Sequence, residues 1–280
     1  MSHIGEGQTI VKFPQLENVA QRLKKGEFLW IAEDWHNAEF INFVKEIPVR
    51  FEKGNVIYNE RNTLVTFRAE ENNSLMNDIV IKKFNINTQY NRLRFKFIQS
   101  KAVRSLVIAT ALNQIGIKTP KPLAVVEKRG ENNELVYSYY ITEYIPYDCN
   151  LLDIINQKDH PYHHQIINFL PFIAEDVRKM HDAGIVHNDL HAGNVLIKNI
   201  DSSPAFYYID LNRARINGKL APKKRMKDLA RFDFSQNEQE VFLRHYAPEG
   251  YRELLNLLVK MRRKRERAIK RKRKIKSIFK

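Results

Sequence analysis

The sequence predicts an α+β chain of two lobes, a small β-rich N-lobe ahead of a larger helical C-lobe, with a basic helix at the C-terminal end. Three observations carry that expectation. Short apolar segments separated by turn residues crowd the first half, helical spacing takes over from Asn150, and basic residues accumulate in the last segment. The expected divisions are residues 1–147 for the N-lobe with a helical N-terminal extension, 148–253 for the C-lobe, and 254–280 for a basic amphipathic helix.

In the N-lobe, helical spacing marks residues 15–24 and 36–46. Short β segments follow at Val56–Tyr58, Thr63–Phe67 and Asp78–Phe84, with Lys53-Gly54-Asn55 and residues 59–62 as turns. A helix is expected from Ser100 to Ile115, stopped by Gly116 with Pro120 and Pro122 beyond. Strands near Leu123–Lys128 and Leu135–Glu143 flank a turn at 129–133.

In the C-lobe, Leu151–Asn156 reads as a short helix. A longer one, Tyr162–Asp182, sets Ile166, Phe169, Leu170, Ile173, Val177 and Met180 on one face and stops at Gly184. Val195–Ile197 and Ala205–Ile209 form a hairpin across the turn-rich residues 199–204. Two or three further helices fill residues 222–280.

A single cysteine, Cys149, excludes an internal disulfide and a zinc site of several thiolates; it reads as a loop thiol in a reducing compartment. The opening MSHIGEGQTIVKF has neither the basic stretch nor the apolar run of a signal peptide, and no apolar run is long enough to cross a bilayer. A cytoplasmic protein is therefore expected. Of the net charge of +15, residues 260–280 supply +12 through 13 Lys and Arg against Glu266, leaving +3 elsewhere. Leu254, Leu258, Met261, Ala268, Ile275 and Phe279 recur at a 4-3 spacing there, so residues 260–280 are expected to lie on an anionic membrane surface. No base-reading module accompanies the tail, so nucleic acid is not the expected partner.

The chemistry concentrates in VHNDLHAGNVLI, residues 186–197. In an antiparallel hairpin the start of the first strand and the end of the second share the open end. Asn194 and Asp210 thus converge beside the loop that holds Asp189. An amide oxygen and a carboxylate suit magnesium, which keeps the rest of its shell for water and phosphates. Asp189 is placed to accept a proton from an attacking hydroxyl, and the three residues together form the arrangement used in phosphoryl transfer by kinases. A lone loop aspartate is ordinarily a cap or turn residue; the joint pattern carries the inference. His187 reads as a packed histidine that holds the loop rather than a metal ligand, and His160, His163 and His164 as surface residues.

HNDLHAGNVLI followed by YYIDLNRA resembles the catalytic and metal-binding loops of the protein-kinase-like superfamily. The form H-x-D-L-H-x-G-N is more similar to small-molecule kinases than to protein kinases, which carry arginine where Asn188 stands. DIVIKKF resembles the strand with the phosphate-binding lysine; Val80 and Lys82 share a face and Lys83 points away, so Lys82 is the candidate. YYITEYIP resembles the hinge between lobes, with the backbone of Glu143 and Ile145 toward adenine.

Together with RFEKGN, SKAVRS, IGIKTPKPLA and MKDLARF, these motifs over about residues 47–250 are most similar to the lipopolysaccharide core kinases, the Kdo and heptose kinases. The resemblance implies phosphotransfer from ATP, with magnesium, to a sugar hydroxyl of a lipopolysaccharide-type glycolipid at the inner face of the cytoplasmic membrane. Asp189 would be the base, Asn194 and Asp210 the metal ligands, and Lys82 the phosphate contact. Asp228 either reaches back to the catalytic-loop backbone or stands exposed in a first helical turn.

Three features depart from the superfamily pattern. No Asp or Glu occurs between Asp78 and Glu127, so the helix glutamate that would pair with Lys82 is missing; its place falls near Ser105 to Val107. Gln99 or Gln114 orients the lysine instead, or magnesium takes a larger share of the phosphates. The 54–65 hairpin offers only Gly54, with Asn59, Arg61 and Asn62 at its turn, in place of a glycine-rich loop. The metal motif reads Asp210-Leu211-Asn212 rather than Asp-Phe-Gly. A nucleotide-binding pseudokinase scaffold and an aminoglycoside- or choline-type phosphotransferase are the alternative readings; Asn212-Arg213, where the latter usually has an aromatic residue, argues against it.

Overall fold

The computed structural model describes residues 26–86 and 93–278. The helix expected at 15–24 lies outside the described residues. Six antiparallel strands, β1 (Gly26–Ile31), β2 (Asn55–Asn59), β3 (Thr63–Phe67), β4 (Ile79–Lys83), β5 (Pro122–Arg129) and β6 (Leu135–Glu143), form one sheet in the order β1-β5-β6-β4-β3-β2. The first of these was not expected. GEFLWI alternates its side chains between the two faces of this edge strand, with Phe28 buried on one and Leu29 and Ile31 half-buried on the other.

A helix covers each face of the sheet. On one side α1 (Ala38–Lys45), capped by the Asn37 side chain accepting from the Phe40 N–H at 2.8 Å, seats Phe40, Phe43 and Val44 beside Trp35 and Phe51. On the other, α2 (Lys101–Gln114) starts where the Ser100 hydroxyl accepts from the Val103 N–H and ends before Gly116, whose φ is +75°. Ala102, Val103 and Leu106 of α2 pack on the sheet, whereas Ile108, Ala109, Ala111 and Leu112 join the C-lobe core. One helix, apolar nearly all round, therefore belongs to both lobes.

The C-lobe is built on α3 (Leu151–Asn156), α4 (Ile166–Asp182), α5 (Pro222–Leu229), α6 (Gln236–Tyr246) and α7 (Tyr251–Ile278). Short pairs lie between the helices: β9 (Val195–Lys198) with β10 (Ala205–Tyr208) and β7 (Cys149–Asn150), and β8 (Ile185–Val186) with β11 (Arg215–Ile216). The α4 start falls at Ile166 rather than Tyr162, because His163–Gln165 form a tighter 3₁₀ turn. Cys149 is not a loop thiol: it sits in β7, is buried in the C-lobe core, and burial pushes it up to about 11.

The last helix differs from expectation in one respect. It is continuous from Tyr251, and Leu258 and Met261 are buried in the C-lobe core with Leu254 packed against it. Half of the apolar stripe thus serves the fold. Ala268 and Ile275 remain exposed on the outer part, while Phe279 lies outside the described residues.

Candidate active site

A cavity of about 350 Å³ lies between the lobes. Ile57, Leu64, Val80, Tyr140 and Leu196 give it apolar walls, and Lys82 and Asp210 stand among its polar lining groups. Glu143 and Ile145 line it where β6 leaves the sheet. The Glu143 N–H donates to the Lys121 carbonyl at 3.0 Å, and the Ile145 N–H has no partner among the described residues. Val80 and Lys82 face the cavity, while Lys83 approaches Glu52 at 3.5 Å on the opposite side of β4.

The loop after β8 is held from below by one buried carboxylate. Asp228, on α5 and 2% exposed, accepts from the backbone N–H groups of His187 and Asn188, each at 2.8 Å. Asn188 takes a left-handed φ of +62°, a conformation that asparagine tolerates better than most residues, and its side chain donates to the Arg213 carbonyl at 3.1 Å. Burial raises the Asp228 carboxyl, but the His181 imidazole at 3.4 Å and the His187 N–H outweigh it and hold the group below its ordinary value. Of the two readings of Asp228, the reach back to the loop is the observed one.

His187 ties two loops together. Its Nε2 lies 3.0 Å from the Ile209 carbonyl, and its Nδ1 lies 3.3 Å from the Asp189 N–H. Those partners require a neutral ring that donates through Nε2 and accepts through Nδ1, and burial lowers its pKa to match. A second tie runs from the Ile209 N–H to the Asn194 carbonyl at 3.0 Å. These two bonds bring Asn194 beside Asp210.

Asn194 donates through Nδ2 to the Asp189 carbonyl at 2.9 Å, which leaves its amide oxygen uncommitted. Asp210 adopts φ +58° and ψ +49°, the left-handed region, as the hairpin turns into Leu211–Arg213. Its carboxylate meets Lys82 Nζ at 2.6 Å and also accepts from the Asn212 side chain. Burial raises Asp210, yet Lys82 overcomes this and holds it below the usual carboxylate range. The uncommitted Asn194 amide oxygen and the ionised Asp210 carboxylate, on loops tied together through the Ile209 N–H, are the oxygen donors that suit a magnesium ion keeping its remaining positions for water and phosphate oxygens. Among the described residues no cluster of three or more His, Cys, Asp or Glu could hold a metal, so a histidine site is not supported.

Asp189 is flanked by two cations. Arg231 Nη1 lies 3.0 Å from its Oδ1, and Arg213 Nη1 lies 3.1 Å from its Oδ2. Around Lys82, no acid comes from α2. Ser105 faces the cavity from the glutamate's place and donates to the Lys101 carbonyl at 2.9 Å. Lys101 stands near Lys82 over the Phe84 ring, 5.7 Å from its centroid, and burial followed by Lys82 and Arg104 lowers its pKa. Neither Gln99 nor Gln114 orients Lys82; its partner is Asp210.

The family profile for the lipopolysaccharide kinase (Kdo/WaaP) family matches residues 52–254. The chain belongs to that family. Among curated relatives, a probable bifunctional tRNA threonylcarbamoyladenosine biosynthesis protein of Methanosphaera stadtmanae is 27% identical over 84% of this chain and 38% of its own length. A 3-deoxy-D-manno-octulosonic acid kinase of Vibrio parahaemolyticus is 27% identical over 42% of this chain and 45% of its own. The chain thus spans less than half the length of either. The solved structure of WaaP in complex with acyl carrier protein shares the fold, with a TM-score of 0.57 and 20% identity over 86% of this chain and 98% of that one.

Within this Kdo/WaaP-family chain, four residues around the loops escaped the sequence reading. Arg213 follows the metal motif by one residue and Arg231 lies within MKDLARF, so both were quoted without a role. Lys101 and Ser105 sit on a helix searched for an acid. Spacing shows which residues share a face of one element; it does not show that Arg231 of the turn after α5 reaches a loop 42 residues earlier.

Proposed function

We propose that the chain transfers the γ-phosphoryl group of ATP to a hydroxyl of a lipopolysaccharide-type sugar acceptor. The observation that carries this reading is the Lys82–Asp210 pair in the inter-lobe cleft, with Asn194 bonded to the Asp189 carbonyl on one side and to the Ile209 N–H next to Asp210 on the other, in a chain of this family. The apolar walls would take adenine, with the backbone of Glu143 and the Ile145 N–H available to its polar edge. Magnesium, held by the Asn194 amide oxygen and the Asp210 carboxylate, supplies charge neutralisation on the phosphates.

The residues of the chain do the rest. Lys82 offsets phosphate charge, and its present contact with Asp210 keeps it aimed at the same place without a helix glutamate. Asp189 accepts the proton of the acceptor hydroxyl as that oxygen bonds to the γ-phosphorus and the bond to the β-phosphate bridging oxygen breaks, releasing ADP. Arg213 and Arg231 hold the Asp189 carboxylate in place through one ion pair to each of its oxygens. The band of positive charge on the outer part of α7 supports contact with an anionic leaflet that carries the acceptor.

The test is a screen with labelled ATP against glycolipid and sugar acceptors, comparing wild type with Asp189→Ala and Asp210→Ala. Label should pass to a glycolipid in wild type alone. Full transfer by Asp189→Ala would refute the assignment of the base, and tight ATP binding without transfer to any acceptor would identify a scaffold. A second reading, a role in RNA modification, draws on the 84% coverage by the Methanosphaera relative and on the basic tail. ATP turnover that rises with tRNA and ignores glycolipid would favour it.

A further inference from the structure

A second cavity, of about 540 Å³, adjoins the site. Arg94 reaches it from the turn before α2, Arg104 from α2 one turn beyond Lys101, and Arg215 from β11, two residues beyond the Arg213 that holds Asp189. None of the three forms an ion pair among the described residues. Arg215 spends Nη1 on the backbone carbonyls of Arg213 and Ala214, and Arg104 Nε is buried with no hydrogen-bond partner. Burial, then Arg215 and Arg94, push Arg104 down to about 10.

Guanidinium groups converging on one hollow without carboxylates repel one another and leave donors unmatched; an anion with several oxygens relieves both costs. We propose that this cavity binds a phosphate or carboxylate group other than those of the nucleotide, and that the group is carried by the acceptor. Leu93 and Phe97, 58% and 82% exposed on the segment that bears Arg94, suit an amphiphile whose charged group enters the cavity. The assignment to the acceptor rests on the kinase reading above; the anion site itself does not.

The experiment separates the two. With the full chain saturated by a non-hydrolysable ATP analogue and magnesium, inorganic phosphate is titrated by calorimetry at constant ionic strength, with chloride as control. Wild type should bind phosphate saturably, and Arg104→Gln and Arg215→Gln should each weaken it about tenfold or more. A cooperative melt of each unliganded variant shows that it folds. No saturable binding by wild type, or binding by both variants as tight as by wild type, overturns the site. In transfer assays, a KM increase confined to phosphorylated or carboxylated acceptors assigns the anion to the acceptor. Lost phosphate binding with unchanged KM, or with transfer reduced equally for acceptors that carry and that lack an anionic group, keeps the site and overturns its assignment to the acceptor.

Discussion

Asp189 sits between two arginines, and that geometry sets what each substitution should do. Arg231→Ala and Arg213→Ala each leave the carboxylate one cationic partner and free it to turn, so kcat should fall by about tenfold while KM for ATP changes little. Steady-state kinetics with varied ATP decides the point. Asp228 is more costly to touch. Asp228→Ala strands two buried backbone N–H groups and should destabilise the protein by about 2–4 kcal/mol in urea unfolding, with loss of activity even where the protein remains folded.

Asp176 gives the pH test at this scale. Burial pushes its carboxyl up to about 6 from the model-peptide value of 3.8. Above 3.8 the unfolded chain ionises this group while the folded chain still holds its proton, so stability falls as pH rises toward 6 and then levels off. Asp176→Asn should therefore be more stable than wild type at pH 7, by on the order of 2 kcal/mol, and equal to it below about pH 4. Thermal melts across that range measure the difference.

Among the elements, α4 shows how a stop signal acts through tertiary contact. Gly184 closes the helix at φ +76°, and a Cβ there would lie 2.1 Å from the Asn217 carbonyl on the chain that leaves β11. Gly184→Ala should cost about 2 kcal/mol or more, beyond the ordinary penalty of a left-handed alanine, because backbone must move as well. Chemical denaturation of the variant checks it. The glycine was legible as a helix stop, but the second chain pressing on it was not. The same holds for α2. Its apolar character was visible, yet its division between the sheet and the C-lobe core depends on which surfaces surround it.

Across the whole molecule, α7 joins fold and surface chemistry. Truncation after Ala268 keeps Leu258 and Met261 in place, so stability should hold, while binding to anionic vesicles weakens and loses much of its salt dependence. Leu258→Ala should instead cost about 2–4 kcal/mol and leave vesicle binding intact. Sedimentation with vesicles at two salt concentrations, beside melting curves, separates the two roles. The basic amphipathic helix expected at 254–280 is thus part of one continuous helix from Tyr251, with Leu258 and Met261 in the core and exposed basic residues along its outer part.

Period and spacing by themselves determined most strand and helix ranges, the two-lobe order, the pairing of Asn194 with Asp210 across a hairpin, and the face of β4 that carries Lys82. Each depends on residues within one element or one hairpin, where backbone geometry dictates the neighbours. Strand β1 was missed because its partner β5 lies almost a hundred residues away and its preceding residues gave no turn signal of their own. Only the tertiary structure decided that Lys82 answers to Asp210, that Asp189 is held by Arg213 and Arg231, and that three arginines share one hollow. Those are contacts between side chains brought together by packing, and long flexible cations leave no periodic mark in the chain that bears them.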